Sequence, residues 1–202
     1  MKKAFFLSML LANLFIFLLT SCNSNKTKGV TITSDDGKEK VTIDPRQMQN
    51  ASTEMQKASE ELQKLTPLSL DELKAMAPET LMGVKRSSYN ASAAMGASMV
   101  TADYRTNDTT NVKLMVYDCA GQAGAGIYSM QYLSMMNMQS ESDDEYTKTI
   151  DYNGGKAYEH CQKSSHECTI TYFGGKRFLV TLEGENVSVD QLKQAGKELN
   201  IK

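Results

Sequence analysis

The sequence predicts an α+β fold in which a mainly antiparallel sheet of about seven strands is flanked by helices. Apolar and polar residues alternate in several short segments between residues 81 and 183, as they do in half-buried strands. The glycine turns 153–155 and 174–175 contain the residues that tight hairpins require, so the strands they join are expected to run antiparallel. Segments with helical spacing of apolar residues precede, interrupt and follow the strands, and this order is typical of the α+β class.

The composition fits a globular protein and argues against nucleic acid as a partner. The chain has 202 residues, of which 41% are hydrophobic and 23% are charged, and it contains 4 cysteines. These values exclude a disordered, collagen-like or disulfide-dense protein. The 22 basic residues are balanced by 24 acidic residues, and no basic run concentrates positive charge for phosphate contacts.

Residues 1–21 have the features of a secretory signal peptide. Met1-Lys2-Lys3 is a basic start, and Ala4–Leu19 is apolar except for two polar residues. A short membrane helix is the alternative, but the residues that follow favour a signal. Leu19-Thr20-Ser21-Cys22 resembles the lipobox of bacterial lipoproteins, in which the signal is cut before the cysteine and that cysteine receives acyl chains such as palmitate. The resemblance implies that Cys22 is lipidated and anchors the mature chain to a membrane.

The residues after Cys22 indicate which membrane would hold the anchor. Many inner-membrane lipoproteins of Gram-negative bacteria have Asp directly after the lipidated cysteine, whereas this chain has Asn23. The acidic cluster that directs some lipoproteins to the cell surface does not occur in residues 23–28. The lipoprotein resemblance therefore implies an outer-membrane anchor with the domain facing the periplasm.

Residues 22–67 are expected to form a lipid-anchored tether, a small hairpin and an amphipathic helix. Val30–Thr33 and Lys40–Ile43 flank Ser34-Asp35-Asp36-Gly37, a pattern typical of a β-hairpin. Arg46–Leu65 has apolar residues at spacings of three and four: Met48, Ala51, Met55, Ala58, Leu62 and Leu65. This narrow stripe indicates docking onto the main domain or a loosely held stalk, with self-association as a coiled coil as the alternative.

Residues 68–202 are expected to form the globular domain. A short helix begins at the capping box of Ser69 and Glu72, and a last helix begins at Ser188 or Asp190. The predicted strands are Leu81–Ala91, Ala97–Arg105, Asn111–Cys119, Glu145–Tyr152, Lys156–Gln162, Glu167–Phe173 and Lys176–Glu183. A helix predicted at Gln122–Met138 has apolar residues all around its axis, which predicts that it is largely buried.

This order of elements is similar to that of PsbP-like and DcrB-like domains, which are small sheets flanked by helices that recur in bacterial lipoproteins. The resemblance covers residues 68–202 and rests on the order of the elements. It implies an α+β architecture of the same kind and supplies no site residues.

Cys161 and Cys168 are predicted to form a disulfide. A four-residue turn at residues 163–166 would place them opposite each other in an antiparallel hairpin, at a separation that suits a disulfide. Export from the cytosol makes the oxidation permissible. The alternative is a metal site formed by His160, Cys161, His166 and Cys168, although strand alternation points His160 to the opposite face.

Cys119 remains unpaired in this scheme and is expected to be a buried apolar residue. With three cysteines besides Cys22, an exchange of partners stays open. A metal-binding or redox module that uses Cys161, Cys168, His166 and Cys119 is therefore the alternative function.

Three other patterns have a structural interpretation and a ligand-binding alternative. Gly121, Gly124 and Gly126 occupy the place of a phosphate-binding loop, but their spacing favours small residues that let a helix approach the sheet. The methionines of Met130–Met138 are expected to fill the core rather than to bind Cu(I). The acidic residues of 141–145 match no EF-hand pattern and are expected to be solvated.

The residues contain no recognisable catalytic set. The chain has two histidines, and neither lies in a nucleophile elbow or an HExxH helix. Hydrolysis by paired carboxylates stays open, because a single sequence does not show which carboxylates meet in space. The sequence therefore predicts a non-catalytic binding or structural lipoprotein without a cofactor, whose partners are the membrane, through acylated Cys22, and an envelope protein.

Overall fold

The computed structural model describes most of the chain and divides it into two compact units. The described ranges are 30–33, 40–43, 45–94, 96–136 and 138–201. The predicted signal peptide 1–21, Cys22, the tether residues 23–29 and the turn 34–37 lie outside these ranges, so lipidation of Cys22 stays a prediction.

The first unit ends at Met48 and contains a small antiparallel hairpin. Its strands are β1 (Val30–Thr33) and β2 (Lys40–Ile43), and Val30 pairs with Ile43. Both strands consist largely of β-branched residues, which favour extended backbone. The predicted hairpin is confirmed.

The second unit begins at Gln49 and contains most of helix α1 (Pro45–Leu62) together with all later elements. These are α2 (Leu70–Ala75), β3 (Thr80–Leu81), β4 (Val84–Ala94), β5 (Ala97–Arg105), β6 (Asn111–Asp118), α3 (Gly121–Ser134), β7 (Gln139–Glu141), β8 (Glu145–Tyr152), β9 (Gly155–Gln162), β10 (Glu167–Gly174), β11 (Phe178–Glu185) and α4 (Val189–Glu198). None of the described helices combines the length and the apolar character that crossing a bilayer requires.

The strands of the second unit form one sheet in the order β3-β4-β5-β6-β11-β10-β9-β8-β7, and every neighbouring pair is antiparallel. This confirms the α+β class and the antiparallel sheet. The predicted number of about seven strands is wrong, because the described sheet has 9. The additional strands are its two edges, β3 with 2 residues and β7 with 3 residues. Such short segments show no period-two alternation in a sequence.

One face of the sheet packs against α2 and α4 and forms the main core. Val100, Val116 and Val180 lie side by side on β5, β6 and β11, and all three are completely buried. Leu73 of α2 and Leu192 of α4 cover this face. Burying one such side chain stabilises the fold by about 1.5–3 kcal/mol relative to leaving it exposed. This burial is the main force that holds both helices on the sheet.

Capping boxes define where α2 and α4 begin, and the sequence predicts the one at Ser69 and Glu72. The Ser69 side chain accepts the Glu72 N–H, and the Glu72 carboxylate accepts the Ser69 N–H. Ser188 and Gln191 make the same reciprocal pair at the start of α4. Each pair satisfies two backbone donors that a helix start otherwise leaves without partners.

The opposite face of the sheet is partly covered by α1 and α3. Tyr128 of α3 packs on Phe173 of β10, with 4.5 Å between the ring centroids. Leu62 of α1 and Leu179 of β11 are buried in the same cluster. This second cluster is smaller than the first, so part of this sheet face stays accessible to solvent.

Helix α1 lies along α3 and runs in the opposite direction. The Tyr132 hydroxyl near the end of α3 donates to the Glu54 carboxylate at 3.4 Å, and the Ser59 hydroxyl donates to the Ala125 carbonyl near the start of α3 at 3.5 Å. The apolar stripe of α1 therefore docks onto the main body, which is the interpretation that the sequence favoured over self-association.

The prediction that the middle helix is largely buried is wrong. Helix α3 ends at Ser134, four residues before the predicted end, and its buried residues are Gly124, Ala125 and Tyr128. Met130 is 73% exposed and Leu133 is 50% exposed. The reason is geometric: the sheet and α1 contact one side of the helix, whereas its apolar residues lie all around the axis.

Candidate functional site

The predicted disulfide between Cys161 and Cys168 is present in the β9–β10 hairpin. The strand register places the two residues opposite each other, with a Cα–Cα distance of 4.1 Å and an S–S distance of 2.14 Å. His166 completes the turn with a positive φ of 56°, and its carbonyl accepts the Asn186 N–H at 2.9 Å. The disulfide thus joins two neighbouring strands next to an exposed turn.

The structure does not bring together the four residues of the alternative metal or redox module. Cys168 shares a row across the sheet with Val112 of β6. Cys119 lies seven residues further along the chain from Val112, which separates it from the disulfide by more than about 20 Å. His166 lies at the exposed turn. A single site cannot contain all four side chains.

His160 lies on the face of β9 opposite to Cys161, as the strand alternation predicts. Its Nδ1 atom is 2.9 Å from the Thr147 hydroxyl, and its Nε2 atom is 3.9 Å from the Glu145 carboxylate. Within the described ranges, no group of three His, Cys, Asp or Glu side chains is arranged to hold a metal ion.

Cys119 is a free and completely buried thiol at the end of β6. Burial raises the pKa of Cys119 to about 12, because the thiolate would lose its hydration. Its side chain packs with Leu62 and Ala125 between the sheet and the two helices. This confirms the expectation of a buried apolar residue, and a thiol in this state is a poor nucleophile and a poor metal ligand.

An ion pair between the buried Asp118 and the half-buried Arg177 joins the linker after α1 to the sheet. The Nε and Nη2 atoms of Arg177 donate to the two carboxylate oxygens of Asp118 at 2.7 and 2.9 Å. The N–H groups of Leu68 and Ala120 donate to the same carboxylate at 2.7 and 3.1 Å. Arg177 also donates to the Thr66 carbonyl at 2.9 Å. Each carboxylate oxygen therefore accepts two hydrogen bonds.

The surroundings of Asp118 favour its charged form. Burial alone would raise the pKa of Asp118, but the hydrogen bonds from Arg177, Leu68 and Ala120 outweigh burial, and the pKa is lowered. The Asp118 carboxylate is consequently ionised near neutral pH. Because both of its oxygens are engaged, it holds the chain in place and is not positioned as a proton acceptor.

A second buried carboxylate, Glu159 on β9, fastens α4 to the sheet. One oxygen accepts the Tyr146 hydroxyl at 2.8 Å and lies 3.0 Å from Lys148 Nζ. The other oxygen lies 2.8 Å from Lys193 Nζ of α4, which also pairs with Asp190 at 3.2 Å. Burial would raise the pKa of Glu159, but the bonds from Lys193, Tyr146 and Lys148 lower it on balance.

Local sequence patterns reveal neither carboxylate, because the side chains that pair with Asp118 and with Glu159 lie far from them along the chain. The sequence feature that identifies them is the face of the strand on which each side chain lies. Asp118 occupies the same face of β6 as Val116, and Glu159 occupies the same face of β9 as Ala157 and Cys161. An acidic residue in phase with buried apolar residues needs a buried partner.

Gly124 lets the start of α3 approach the end of β6, as predicted. A β-carbon at this position would lie 2.5 Å from the backbone carbon of Cys119, which leaves no room for any side chain. Gly126 has no such neighbour within 4 Å. The N–H of Ala120 just before the helix donates to Asp118. The glycines therefore serve close packing at one position, and the phosphate-loop alternative gains no support.

The methionine prediction is partly wrong. Met135 is 3% exposed and fills the second core cluster, but Met130 and Met138 are 73% and 42% exposed. The acidic residues that follow are exposed, as predicted, and Glu141 pairs with Lys163 Nζ at 3.2 Å.

An open cleft of about 370 Å³ lies between the end of α2 and the C-terminal residues. Apolar side chains dominate its lining: Ala75, Met76, Pro78, Phe178, Leu199 and Ile201. The charged residue in the lining, Glu198, accepts the Met82 N–H at 3.0 Å. Asn200 is the other polar residue of the lining.

Comparison with known proteins finds no family model that matches this chain and no matching curated protein. Its function has to be inferred from its own residues.

Proposed function

We propose that this chain is an envelope lipoprotein, anchored in the outer membrane through acylated Cys22 and facing the periplasm. In this proposal its α+β domain is non-catalytic and binds an envelope protein or supports the envelope. The signal-like residues 1–21 and the lipobox-like Leu19–Cys22 support the anchor, and Asn23 supports the outer membrane.

The Cys161–Cys168 disulfide is the observation that carries the proposal. Disulfides of this kind persist in oxidising compartments and are rare in the cytosol. A chain with an export signal that ends at Cys22 would reach such a compartment. The signal and the disulfide are independent features, and both support the same location.

The non-catalytic part of the proposal is supported by the two buried carboxylates. Groups with a shifted pKa are the first candidates for catalysis in a protein of unknown function. In Asp118 both oxygens are occupied by the Arg177 guanidinium and by backbone N–H groups, and in Glu159 both oxygens face lysine ammonium groups. Such carboxylates stabilise a rigid scaffold, which suits a binding or structural domain.

Fatty-acid labelling tests the anchor. Cells that express the wild-type chain are grown with alkyne-tagged palmitate, and we expect the purified protein to carry the tag. The C22S variant should carry none. The C119S variant removes another free cysteine and should be labelled like wild type. An untagged wild-type protein would contradict the proposal.

Membrane separation and protease access test the location. We expect the wild-type protein in the outer-membrane fraction of a density gradient, resistant to protease in intact cells and cleaved after the outer membrane is permeabilised. Accumulation in the inner membrane, or cleavage in intact cells, would contradict the outer-membrane and periplasm-facing assignment.

Crosslinking in cells tests the binding role. An envelope protein that is crosslinked to the wild-type chain and not to C22S supports a partner that requires the tether. An identical pattern of crosslinked proteins for both forms argues against a role that depends on anchoring.

A further inference from the structure

The end of α3 presents apolar side chains to solvent. Met130 and Leu133 lie one turn apart on the same side of the helix and are 73% and 50% exposed. Met138, just beyond the helix, is 42% exposed. We call Met130, Leu133 and Met138 the α3 patch. In addition, residues 119–140 contain no charged side chain, so α3 itself brings no ion that would have to be desolvated when the patch approaches an apolar medium.

The path of the chain brings the anchored segment in at the same end. Helix α1 runs antiparallel to α3. Glu54 of α1 lies beside Tyr132 near the end of α3, and Ser59 of α1 lies beside Ala125 near the start of α3. Continuing α1 backward from Glu54 to Gln49 leads further past the end of α3, by about 7 Å at 1.5 Å per residue. The chain that comes from Cys22 therefore enters the larger unit on the side where α3 ends.

The segment between Cys22 and Gln49 limits how far the larger unit can lie from an anchor at Cys22. Seven residues separate Cys22 from Val30, so the two Cα atoms are eight steps apart and can lie at most about 27 Å from each other. Val30 pairs with Ile43, so the hairpin returns the chain to where it began, and six more residues lead to Gln49. An anchor at Cys22 thus holds the α3 end of the domain within a few tens of ångströms of the bilayer.

We infer that the α3 patch lies against the lipid surface to which Cys22 is anchored, an inference that rests on the proposed acylation. Apolar residues of this kind insert into the boundary between headgroups and acyl chains. A second copy of the chain is a poorer occupant, because a stable dimer buries about 800 Å² on each partner and three side chains offer far less. The tether raises the local concentration of the patch at the membrane, so a small apolar area suffices.

A single introduced tryptophan tests this contact, since the chain contains no tryptophan of its own. The variants are L133W in the patch and L70W in α2 on the opposite face of the sheet, and the two leucines are matched at 50% and 51% exposure. Both full-length mature proteins are purified from the cell envelope and reconstituted in vesicles of phosphatidylethanolamine and phosphatidylglycerol with brominated acyl chains. We expect the fluorescence of L133W to be quenched at least about twofold more than that of L70W, and its emission to shift to the blue.

The outcomes separate this inference from the proposed function. If both variants float with the vesicles but are quenched equally, the lipid contact is overturned and the anchor stands. If neither variant floats, the anchor and the contact both fail. If the emission of L133W shifts with protein concentration in detergent without lipid, a second copy occupies the patch and the lipid contact is overturned.

Discussion

Asp118 and Glu159 show how single charged residues position whole elements in this protein. Asp118 connects the linker before α2, the residue before α3 and Arg177 between β10 and β11. Glu159 connects β8, β9 and α4 through Tyr146, Lys148 and Lys193. Removing one member of such a group leaves a buried charge without its partner, which is costly.

We expect D118N to lower the free energy of unfolding by about 3 kcal/mol, because the half-buried Arg177 guanidinium loses its counter-charge at a position where the carboxylate is completely buried. Urea unfolding followed by circular dichroism measures the change. D151N is the control, since Asp151 pairs with Lys156 at 2.7 Å but is exposed, and we expect a change below about 1 kcal/mol. Equal effects of the two substitutions would show that burial of the Asp118 pair is not what matters.

The same carboxylates predict a loss of stability in acid. The ordinary pKa values are 3.8 for Asp118 and 4.5 for Glu159, and both pKa values are lowered in the folded protein. A group with a lowered pKa contributes stability that is present above its ordinary value and is lost as the pH falls through its folded value. We therefore expect the free energy of unfolding to decrease as the pH falls below about 4.5.

Urea titrations at several pH values test this dependence. The doubly substituted D118N/E159Q protein should lose less stability between neutral and acidic pH than wild type, because two of the responsible groups no longer titrate. A parallel decline in both proteins would assign the acid sensitivity to other groups.

At the scale of elements, the β9–β10 hairpin depends on its disulfide. Closing a loop of sequence separation 7 through Cys161 and Cys168 contributes roughly 2–3 kcal/mol. We expect a reductant to lower the free energy of unfolding of the wild type by this amount. The C161S/C168S variant should match the reduced wild type and should not respond to reductant. A wild type whose stability ignores the reductant would contradict the assigned contribution.

Helix α3 depends on one of its glycines and not on another. We expect G124A to destabilise the protein by about 1–3 kcal/mol, because the new methyl group would collide with the Cys119 backbone, which cannot rotate away. G126A adds the same methyl group in open space and should stabilise the protein by roughly 1 kcal/mol through helix propensity. Thermal unfolding of both variants measures the difference. Effects of the same sign would contradict the close approach at Gly124.

At the scale of the whole molecule, the features encoded locally could be predicted from the sequence. The capping serines, the glycine turns and the spacing of Cys161 and Cys168 each lie within a few residues, so the helix starts, the antiparallel hairpins and the disulfide followed from them.

The remaining features depend on contacts between distant parts of the chain. The exposure of Met130 and Leu133 reflects what lies beside α3, which its own apolar residues do not reveal. Edge strands of two or three residues are defined by their pairing alone. The Asp118–Arg177 pair joins residues 59 positions apart, so no local pattern announces it.

Intact-mass measurement of the protein purified from the cell envelope tests acylation and disulfide formation together. We expect a chain that begins at Cys22, carries the added mass of acyl chains, and lacks the two thiol hydrogens of Cys161 and Cys168. A chain that begins at unmodified Met1 and has all of its cysteines reduced would contradict this expectation.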